Sequence, residues 1–320
     1  MKRRDFLRRL GLGLAGAWAL GRVSWPVGTP AADPKGSELL LAFLGDAHLP
    51  DGDGRRPEAQ ALARAVAELR LLKPAPRLVL FAGDLAHNGD PRALALGQEI
   101  LSDLPAPHLM VMGEGDGLPD GAAAWRQFFG APWFSHLLQK TANGKQQTVL
   151  QILGLHTAWC PGPGGPAFRL GAAGRRWLAR ELNRLDPGAP LIILSHAPLD
   201  PVYRPWSQWT VDVPEVMPLL ARFRQVLCLH GHTHSAGVRG QGSGVSKGND
   251  FGEVFITENR KQKTGNRLSI SLPAIAWPGP QALQGTPAHL RPGLGPAGCG
   301  WLLLAAEDAS LQFQPQIWQA

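Results

Sequence analysis

Runs of apolar residues alternate with helical patterns through the first third of the chain. The runs predict three buried strands, in "ELLLAFLGDAH", "PRLVLFAGD" and "PHLMVMG", and the first strand is expected to end at Gly45. Between them, "PEAQALARAVAELRLL" and "PRALALGQEILSDL" carry apolar residues at helical spacing, and Pro57 stands where a first helical turn favours proline. Strands that alternate with helices in this way predict parallel strands joined by crossover helices.

The second half repeats this alternation with longer interruptions. Strands are predicted in "QTVLQILGL", "PLIILSH" and "RQVLCLHGHTH", and a helix in "AAGRRWLARELNRL", whose apolar positions include Leu178 and Leu182. The last quarter contains the β-type stretches "GEVFITE", "RLSISLPAIAW", "GWLLLAAED" and "SLQFQPQ", while the Gly/Pro/Ser-rich segments 235–250 and 278–298 are predicted loops. The whole pattern favours one α/β domain with two sheets.

The composition is that of a folded protein with a substantial core. The chain has 320 residues, of which 44% are hydrophobic, and its apolar runs recur throughout, unlike the sequence of a disordered chain. The formal net charge is +7, but the first 19 residues hold five Lys or Arg against one Asp. The remainder therefore carries 27 basic against 24 acidic residues, and we predict no nucleic-acid surface.

The cysteine pattern does not indicate a disulfide framework. Three cysteines, Cys160, Cys228 and Cys299, are too few and too scattered along the chain. Cys228 lies in an apolar run and is predicted to be a small buried hydrophobe. A Cys160–Cys299 bridge is an option in an oxidising compartment, although nothing in the sequence requires it.

The N-terminus has the layout of a bacterial export signal. In "MKRRDFLRRLGLGLAGAWAL", a basic segment leads into a short apolar stretch and a small-residue cleavage site, and Arg3-Arg4 resembles a twin-arginine signal. We predict a signal peptide and linker over residues 1–32, cleaved after Ala19 or later, after Ala32, and an exported domain over 38–320. The predicted location is the periplasm, reached through the twin-arginine export machinery. The alternative is an uncleaved N-terminal anchor, which is the only membrane contact expected.

Polar side chains that suit metal ions follow five of the predicted strands. Sites in open α/β sheets lie at the carboxyl ends of the strands, and carboxylate and imidazole ligands together suit Zn, Mn and Fe. Each motif alone is more often a turn or a helix start, but five of them in this order at strand ends indicate a metal site. The candidate metal ligands are Asp46, His48, Asp84, Glu114, His196, His232 and His234.

The series "GDAH", "GDLAHNG", "GEGD", "LSHAP" and "GHTH" resembles the calcineurin-like metallophosphoesterase superfamily, and within it the bacterial branch of small phosphodiesterase-type enzymes. The resemblance extends from about residue 38 to the C-terminus. It implies a four-layer αββα sandwich with two mixed sheets and a dinuclear metal site at the carboxyl ends of the strands. The implied cofactors are two divalent or trivalent ions, Mn, Fe or Zn, and the implied reaction is attack on phosphorus by a metal-bridging hydroxide.

The resemblance also implies a role for each motif residue. One metal would be held by Asp46, His48 and His234. The second would be held by His196, His232 and Glu114, where the family usually has Asn. Asp84 would bridge the two metals and, with His232, is counted among the catalytic residues.

Glu114 and Gly115 depart from the third motif that is usual in the family, Gly-Asn-His-Asp or Gly-Asn-His-Glu. A carboxylate at Glu114 remains a hard oxygen ligand and adds negative charge; the alternative is a helix-start or loop carboxylate that faces solvent. Gly115 removes a His that in the family contacts the phosphate and helps protonate the leaving group, a loss on the order of 10²–10⁴-fold in rate. We also expect the missing side chain to make room for a bulkier substrate. His87 is the first candidate for a substitute acid and His156 the second, with a surface position as the alternative for both.

The sequence therefore predicts an exported, metal-dependent phosphoesterase that acts on phosphomonoesters or phosphodiesters. Asn88 in the second motif and Arg204 in the loop after His196 are candidate contacts to the substrate, although packing of that loop is an equal interpretation for Arg204. The alternative function is a catalytically impaired, metal-binding scaffold on the same fold. The altered third motif favours the scaffold, and the retained ligand motifs favour the enzyme.

Overall fold

A computed structural model describes residues 39–117, 122–142, 144–162, 165–201, 208–240, 267–277, 299–307 and 310–318. All of them belong to one unit, Asp33–Ala320. The predicted signal peptide, the predicted strand at 252–258, the predicted loop 278–298 and Arg204 lie outside the described residues.

The described residues form thirteen strands and six α-helices. The strands are β1 (Leu39–Leu44), β2 (Leu78–Phe81), β3 (His108–Met110), β4 (Phe134–Ala142), β5 (Lys145–Leu155), β6 (Ala158–Cys160), β7 (Ala167–Arg169), β8 (Leu191–Ser195), β9 (Val226–His230), β10 (Gly237–Gly240), β11 (Arg267–Ser271), β12 (Cys299–Glu307) and β13 (Ser310–Trp318). The helices are α1 (Pro57–Leu71), α2 (Pro91–Leu101), α3 (Glu114–Gly117), α4 (Ala123–Phe129), α5 (Gly171–Arg184) and α6 (Met217–Leu220), with a 3-10 turn at Val213–Glu215.

Two mixed sheets form the centre of the fold. The first has the strand order β13-β12-β1-β2-β3, in which β1, β2 and β3 are parallel and β12 and β13 are antiparallel to their neighbours. The second has the order β10-β11-β9-β8-β5-β4, in which the four strands from β11 to β5 are parallel. A small antiparallel pair, β6-β7, stands apart from both.

Three apolar cores separate the layers. The first contains side chains of α1 and the first sheet, among them Leu62, Leu69, Leu44 and Phe81. The second fills the space between the two sheets and includes Phe43, Leu80, Ile192 and Leu229. The third lies between the second sheet and α5 and includes Ile193, Cys228, Leu178 and Leu182. Helices, sheet, sheet and helices in succession confirm the predicted α/β class and the four-layer αββα sandwich.

Local sequence explains where the crossover helices begin. Helix α1 begins at Pro57, whose fixed φ suits the first turn and whose missing N–H would have no partner there in any case. Helix α2 begins with Pro91, and the side chain of Asp90 before it accepts a hydrogen bond from the backbone N–H of Arg92 at 2.7 Å. Both helices bury one apolar stripe in the first core, as their periodicity predicts.

Two predictions about secondary structure are wrong in detail. The segment predicted as a loop from residue 235 begins with a strand, β10, because Gly237–Gly240 pairs antiparallel with β11. The strand predicted over residues 267–277 ends at Ser271, and the chain then turns toward the end of β1, where the Ile275 N–H donates to the Gly45 carbonyl at 2.9 Å. Pairing partners that are distant in the sequence decide both outcomes.

The cysteines are free, so a Cys160–Cys299 bridge is not formed. Cys160 lies in the small β6-β7 pair, whereas Cys299 begins β12 in the first sheet. Cys228 is buried in the third core, as predicted, and burial raises the pKa of its thiol to about 12. Within the described residues, none of the helices has the length and apolar character needed to cross a membrane.

Candidate metal centre

The strand ends of both sheets meet at one buried cluster. From the first sheet, Asp46 and His48 follow β1, Asp84 follows β2, and Glu114 begins α3 after β3. From the second sheet, His196 follows β8, and His232 and His234 follow β9. The structure thus brings all seven predicted ligands together, and most of their side chains are buried.

The ligand atoms fall into groups of the kind that binds a metal ion. The first group is Asp46, His48 and His234, and the second is Glu114, His196 and His232. Within each group, the possible ligand atoms lie within 4.8 Å of one another. These two sets are the ones that the family resemblance implies for two metals.

Asp84 lies between the two groups. Its Oδ1 accepts a hydrogen bond from the Gly115 N–H at 2.7 Å. Its Oδ2 faces both groups, at 3.8 Å from Nδ1 of His48 and 3.6 Å from Nε2 of His196. One carboxylate oxygen is held by the backbone while the other is shared by the two groups, as a bridging ligand requires.

Three of the histidines are oriented by hydrogen bonds to carbonyl oxygens. Nδ1 of His196 donates to the Ala82 carbonyl at 2.7 Å, and Nδ1 of His234 donates to the Trp277 carbonyl at 2.9 Å. Nε2 of His232 donates to Oε1 of Gln208 at 2.7 Å. A neutral imidazole has one N–H, so in the metal-binding form of each ring these bonds would leave a lone pair on the other nitrogen, directed into the cluster.

The carboxylate of Glu114 points into the second group. Its Oε2 lies 2.7 Å from Nε2 of His196, and its Oε1 lies 2.9 Å from Nδ1 of His232. The close pair of Glu114 Oε2 and His196 Nε2 lacks hydrogen-bond geometry, and both atoms are buried. Buried atoms that approach without bonding each other fit ligands that converge on one cation. The alternative for Glu114, a carboxylate facing solvent, is therefore wrong, although it does start a helix.

The electrostatics of the cluster also fit cations. Burial raises the pKa of Asp84 well above its usual range, and the nearby Glu114 carboxylate adds to the effect. Burial favours neutral His196, but the carboxylates of Asp84 and Glu114 outweigh it and hold the pKa of that imidazole well above its usual range. Burial alone would raise the pKa of Asp46, but the nearby His234 imidazole outweighs burial and lowers that pKa to about 2. The buried carboxylates of the cluster thus favour protonated imidazoles beside them, and metal cations would take the place of those protons.

Comparison with known proteins identifies the family. A sequence model of the calcineurin-like phosphoesterases matches residues 39–236, which is more than half of the chain. The chain belongs to the calcineurin-like phosphoesterase family. Its membership confirms the resemblance seen in the motifs, and it supports a metal-dependent hydrolase that acts on phosphate esters.

One curated protein and one solved structure are similar to this calcineurin-like phosphoesterase. The chain is 25% identical over 183 residues to a probable glycerophosphodiester phosphodiesterase, GpdQ, from Arcobacter nitrofigilis. The aligned region covers 55% of this chain and 63% of the relative, which is less than two thirds of the relative's length. The fold is similar to that of a dimetal phosphatase from Danio rerio, with a TM-score of 0.60 at 12% identity over 88% of this chain and 97% of that chain.

Five candidate ligands of this calcineurin-like phosphoesterase adopt left-handed backbone conformations. Their φ angles lie between 50° and 63°, at Asp46, His48, Asp84, His232 and His234. Non-glycine residues rarely adopt this region, and each such residue costs on the order of 1–3 kcal/mol. Several in one cluster are characteristic of a functional site in which side-chain placement takes precedence over backbone preference.

In the third motif of this family member, neighbouring backbone and side-chain atoms pack closely against Gly113 and Gly115. Asp116 is buried and accepts hydrogen bonds from the backbone N–H groups of Ala86 and Gly113, at 2.8 and 3.0 Å. A Cβ at Gly115 would lie 2.8 Å from the Ala86 carbonyl oxygen and 3.0 Å from Oδ1 of Asp84. The expectation that the missing side chain leaves room for a bulkier substrate is therefore wrong, because the backbone fills that space.

The substitute acids and substrate contacts predicted from the sequence are placed as follows. His87 is half-buried beside the first group, with its ring centroid 6.3 Å from that of His48. His156 is partly buried, and burial lowers its pKa to about 4. Asn88 is exposed, on the same loop as His87. Neither His87 nor His156 belongs to a group of possible metal ligands among the described residues.

Sequence reasoning missed two residues that hold the candidate ligands in place. Gln208 accepts the hydrogen bond from His232, and it lies in the stretch "PLDPVYRPWSQWTVD" after His196, where the sequence predicts only Arg204 as a candidate contact. Trp277 ends the stretch "RLSISLPAIAW", which the sequence predicts only as β-type, and it contacts both His48 and His234. No spacing rule connects either residue to its histidine, because each contact is made between distant parts of the chain.

Proposed function

We propose that this protein is a metallophosphoesterase that uses two metal ions, of the Mn, Fe or Zn class, to hydrolyse phosphomonoesters or phosphodiesters. The observation that carries the proposal is the position of Asp84, with one oxygen facing two separate groups of ligands. Metal ions bound in such a pair activate water as a nucleophile and stabilise the phosphoryl oxygens during in-line displacement.

The contribution of the chain itself is to hold and orient ligands in a water-poor cluster. Hydrogen bonds to Ala82, Trp277 and Gln208 fix the imidazole tautomers. The Gly115 N–H holds the non-shared oxygen of Asp84. Glu114 in place of the usual Asn adds a negative charge to the second group, which strengthens its attraction for a dication.

The substrates that suit this site have good leaving groups. Position 115 carries no side chain that can donate a proton, so the leaving group must depart with little help or take its proton from elsewhere. His87, on the loop beside the first group, is our candidate for that donor, and Asn88 and Arg204 are our candidate substrate contacts. A glycerophosphodiester enters the set of test substrates because one relative carries that name.

We further propose that the protein acts in the periplasm after export by the twin-arginine route. This proposal is supported by the sequence of the first 32 residues alone, in which Arg3-Arg4 precedes a short apolar stretch. The test is a fusion of residues 1–40 to a reporter protein that is active in the periplasm only if it folded in the cytoplasm before transport. The active reporter should reach the periplasm, and only in cells that have the twin-arginine export machinery. Replacement of Arg3-Arg4 by Lys-Lys should abolish that transport, and unchanged transport would refute the route.

The assay that tests the proposed activity uses purified, Mn-loaded protein. The substrates are p-nitrophenyl phosphate, bis(p-nitrophenyl) phosphate and a glycerophosphodiester, with His232→Ala as the control variant. Turnover that requires metal and is lost in the variant is the expected result. Protein that binds metal and hydrolyses none of the three would instead support the alternative, a metal-binding scaffold, which Gly115 favours.

A further inference from the structure

Trp277 contacts two histidines of the first ligand group at once. Its indole stacks on the imidazole of His48, with ring centroids 4.5 Å apart and an interplanar angle of 8°. Its backbone carbonyl accepts the hydrogen bond from Nδ1 of His234 at 2.9 Å. The two imidazoles themselves are neighbours, with Nε2 of His48 lying 3.0 Å from Nε2 of His234.

Trp277 is in turn held by helix α1 and by the loop after β1. Its indole Nε1 donates to Oε1 of Glu58, in the first turn of α1, at 3.1 Å. The backbone before it is fixed to the loop after β1, because the Ala276 N–H donates to the Asp46 carbonyl at 3.1 Å. Trp277 also has a left-handed backbone, with φ of 59°, which indicates that surrounding contacts determine its conformation.

We propose that Trp277, fixed by Glu58, is a positioning residue for the first metal. The stacked indole restricts rotation of the His48 ring, and the carbonyl of Trp277 selects the His234 tautomer whose Nε2 is free to coordinate. The histidines of the second ligand group are held by Ala82 and Gln208 and not by Trp277. The effect of Trp277 is therefore specific to one of two metals.

This inference rests on the proposed metal binding but not on catalysis. Loss of a partner that orients a metal-bound histidine typically lowers metal affinity about 10–100-fold. Trp277→Ala removes the stacking surface and the indole N–H, and it keeps a backbone carbonyl. Trp277→Phe keeps an aromatic ring and removes only the bond to Glu58.

The experiment is calorimetric titration of metal-free protein with Mn²⁺ or Zn²⁺, which resolves the two sites without any turnover. Trp277→Ala is expected to weaken one site about 10–100-fold and to leave the other unchanged. Trp277→Phe and Glu58→Ala should each give a smaller loss at the same site. Both variants remove the same hydrogen bond, between Trp277 and Glu58, so the double variant should bind metal no more weakly than either single variant.

Glu68, on the same helix as Glu58, and its partner Trp318 in β13 give controls away from the metal centre; Glu68 also accepts a hydrogen bond from Nε1 of Trp301 at 2.8 Å. Nε1 of Trp318 donates to Oε2 of Glu68 at 2.9 Å, and neither residue contacts a candidate ligand among the described residues. Trp318→Phe and Glu68→Ala should leave both metal affinities at the wild-type value. Equal affinities in Trp277→Ala and wild type would overturn the inference, as would equal weakening of both sites.

The failure of this inference is distinguishable from that of the proposed function. Wild-type protein that binds no metal would refute the metal centre itself. Two bound metals without hydrolysis would refute the enzyme, and the difference between the Trp277 variants and their controls would still decide the positioning role.

Discussion

Glycines at the ligand loops allow the backbone of one strand end to touch the side chains of another. A Cβ at Gly83, whose φ is 89°, would lie 2.8 Å from Nδ1 of His196. A Cβ at Gly113 would overlap the Asp84 carboxylate. These positions need glycine for close approach, and the two glycines contribute to the site although they present no ligand.

Gly115 is the residue at which the family pattern and the structure disagree most. Restoring the usual His by Gly115→His should lower the free energy of unfolding by about 1–3 kcal/mol, because the new Cβ would press against the Ala86 carbonyl. Turnover should fall as well, since the Gly115 N–H holds Asp84. Denaturant unfolding and the ester assay measure the two effects.

The control for that variant is Gly117→His, two residues further along α3. There a Cβ would meet the Met112 side chain at 3.7 Å, which is an ordinary contact. This change should cost little stability. If Gly115→His were instead as stable as wild type and faster, the tight packing of the third motif would be disproved.

His156 predicts a pH dependence of stability. Its pKa in the folded protein is lowered to about 4 by burial, below the value near 6.5 of an unfolded chain. The stability contributed by the neutral ring is therefore complete above the unfolded pKa and is lost as the pH falls toward the folded pKa. From pH 7 to pH 5, the wild type should lose about 1–2 kcal/mol more than His156→Gln. Unfolding of both metal-free proteins by urea at each pH tests this, and parallel losses would contradict it.

At the level of elements, the loop after His196 is attached to the start of α5 through Asp212. This buried carboxylate accepts hydrogen bonds from the backbone N–H groups of Leu170 and Gly171, both at 2.9 Å, and it pairs with Arg175. Asp212 lies four residues after Gln208, so this attachment also fixes the residue that orients His232. The contact connects a helix of the outer layer to the metal centre.

Removal of Asp212 should therefore be costly. Asp212→Ala leaves two backbone donors without their acceptor and leaves the guanidinium of Arg175 with only the exposed carboxylate of Glu215. It should lower the free energy of unfolding by about 2–4 kcal/mol. Glu215→Ala is the matched control, because Glu215 pairs with the same Arg175 at 2.9 Å but its side chain is 63% exposed. That variant should lose less than about 1 kcal/mol. Similar losses in the two variants would show that burial at Asp212 does not matter.

The strands with the clearest sequence signal are those buried on both faces, whereas β4 and β10, which the sequence does not predict, lie at the edges of the second sheet. β1, β8 and β9 are continuous apolar runs because they lie between two packed layers. β4, at the edge of the second sheet, alternates half-buried and exposed residues from Phe134 to Gln139 and has no apolar run. β10 is rich in glycine and becomes a strand through pairing with β11.

On the scale of the whole molecule, the metal centre joins the two sheets. Asp46, His48, Asp84 and Glu114 come from the first sheet, and His196, His232 and His234 come from the second. The sequence predicted these seven because each follows a buried strand, and strand ends of parallel sheets meet. It did not predict Gln208 and Trp277, because their contacts depend on loop paths that no local pattern encodes.

Because the ligands come from both sheets, removal of metal should destabilise the whole domain and not one sheet alone. A metal present at 100 times its dissociation constant adds about 2.7 kcal/mol to the free energy of unfolding. Excess chelator should lower Tm by about 5 °C, observed by calorimetry of wild-type protein before and after metal is restored. His232→Ala should show a smaller shift. An identical Tm with and without metal would contradict the assignment of this cluster as a metal centre.

The central claim is that Glu114 coordinates the second of two metals, in place of the family's usual Asn. The direct measurement is anomalous diffraction from crystals of the Mn-loaded protein. We predict two anomalous peaks about 3.5–4 Å apart, one of them about 2.0–2.3 Å from a Glu114 carboxylate oxygen. A single peak at Asp46, His48 and His234, with Glu114 still paired to His196 and His232, would contradict the claim.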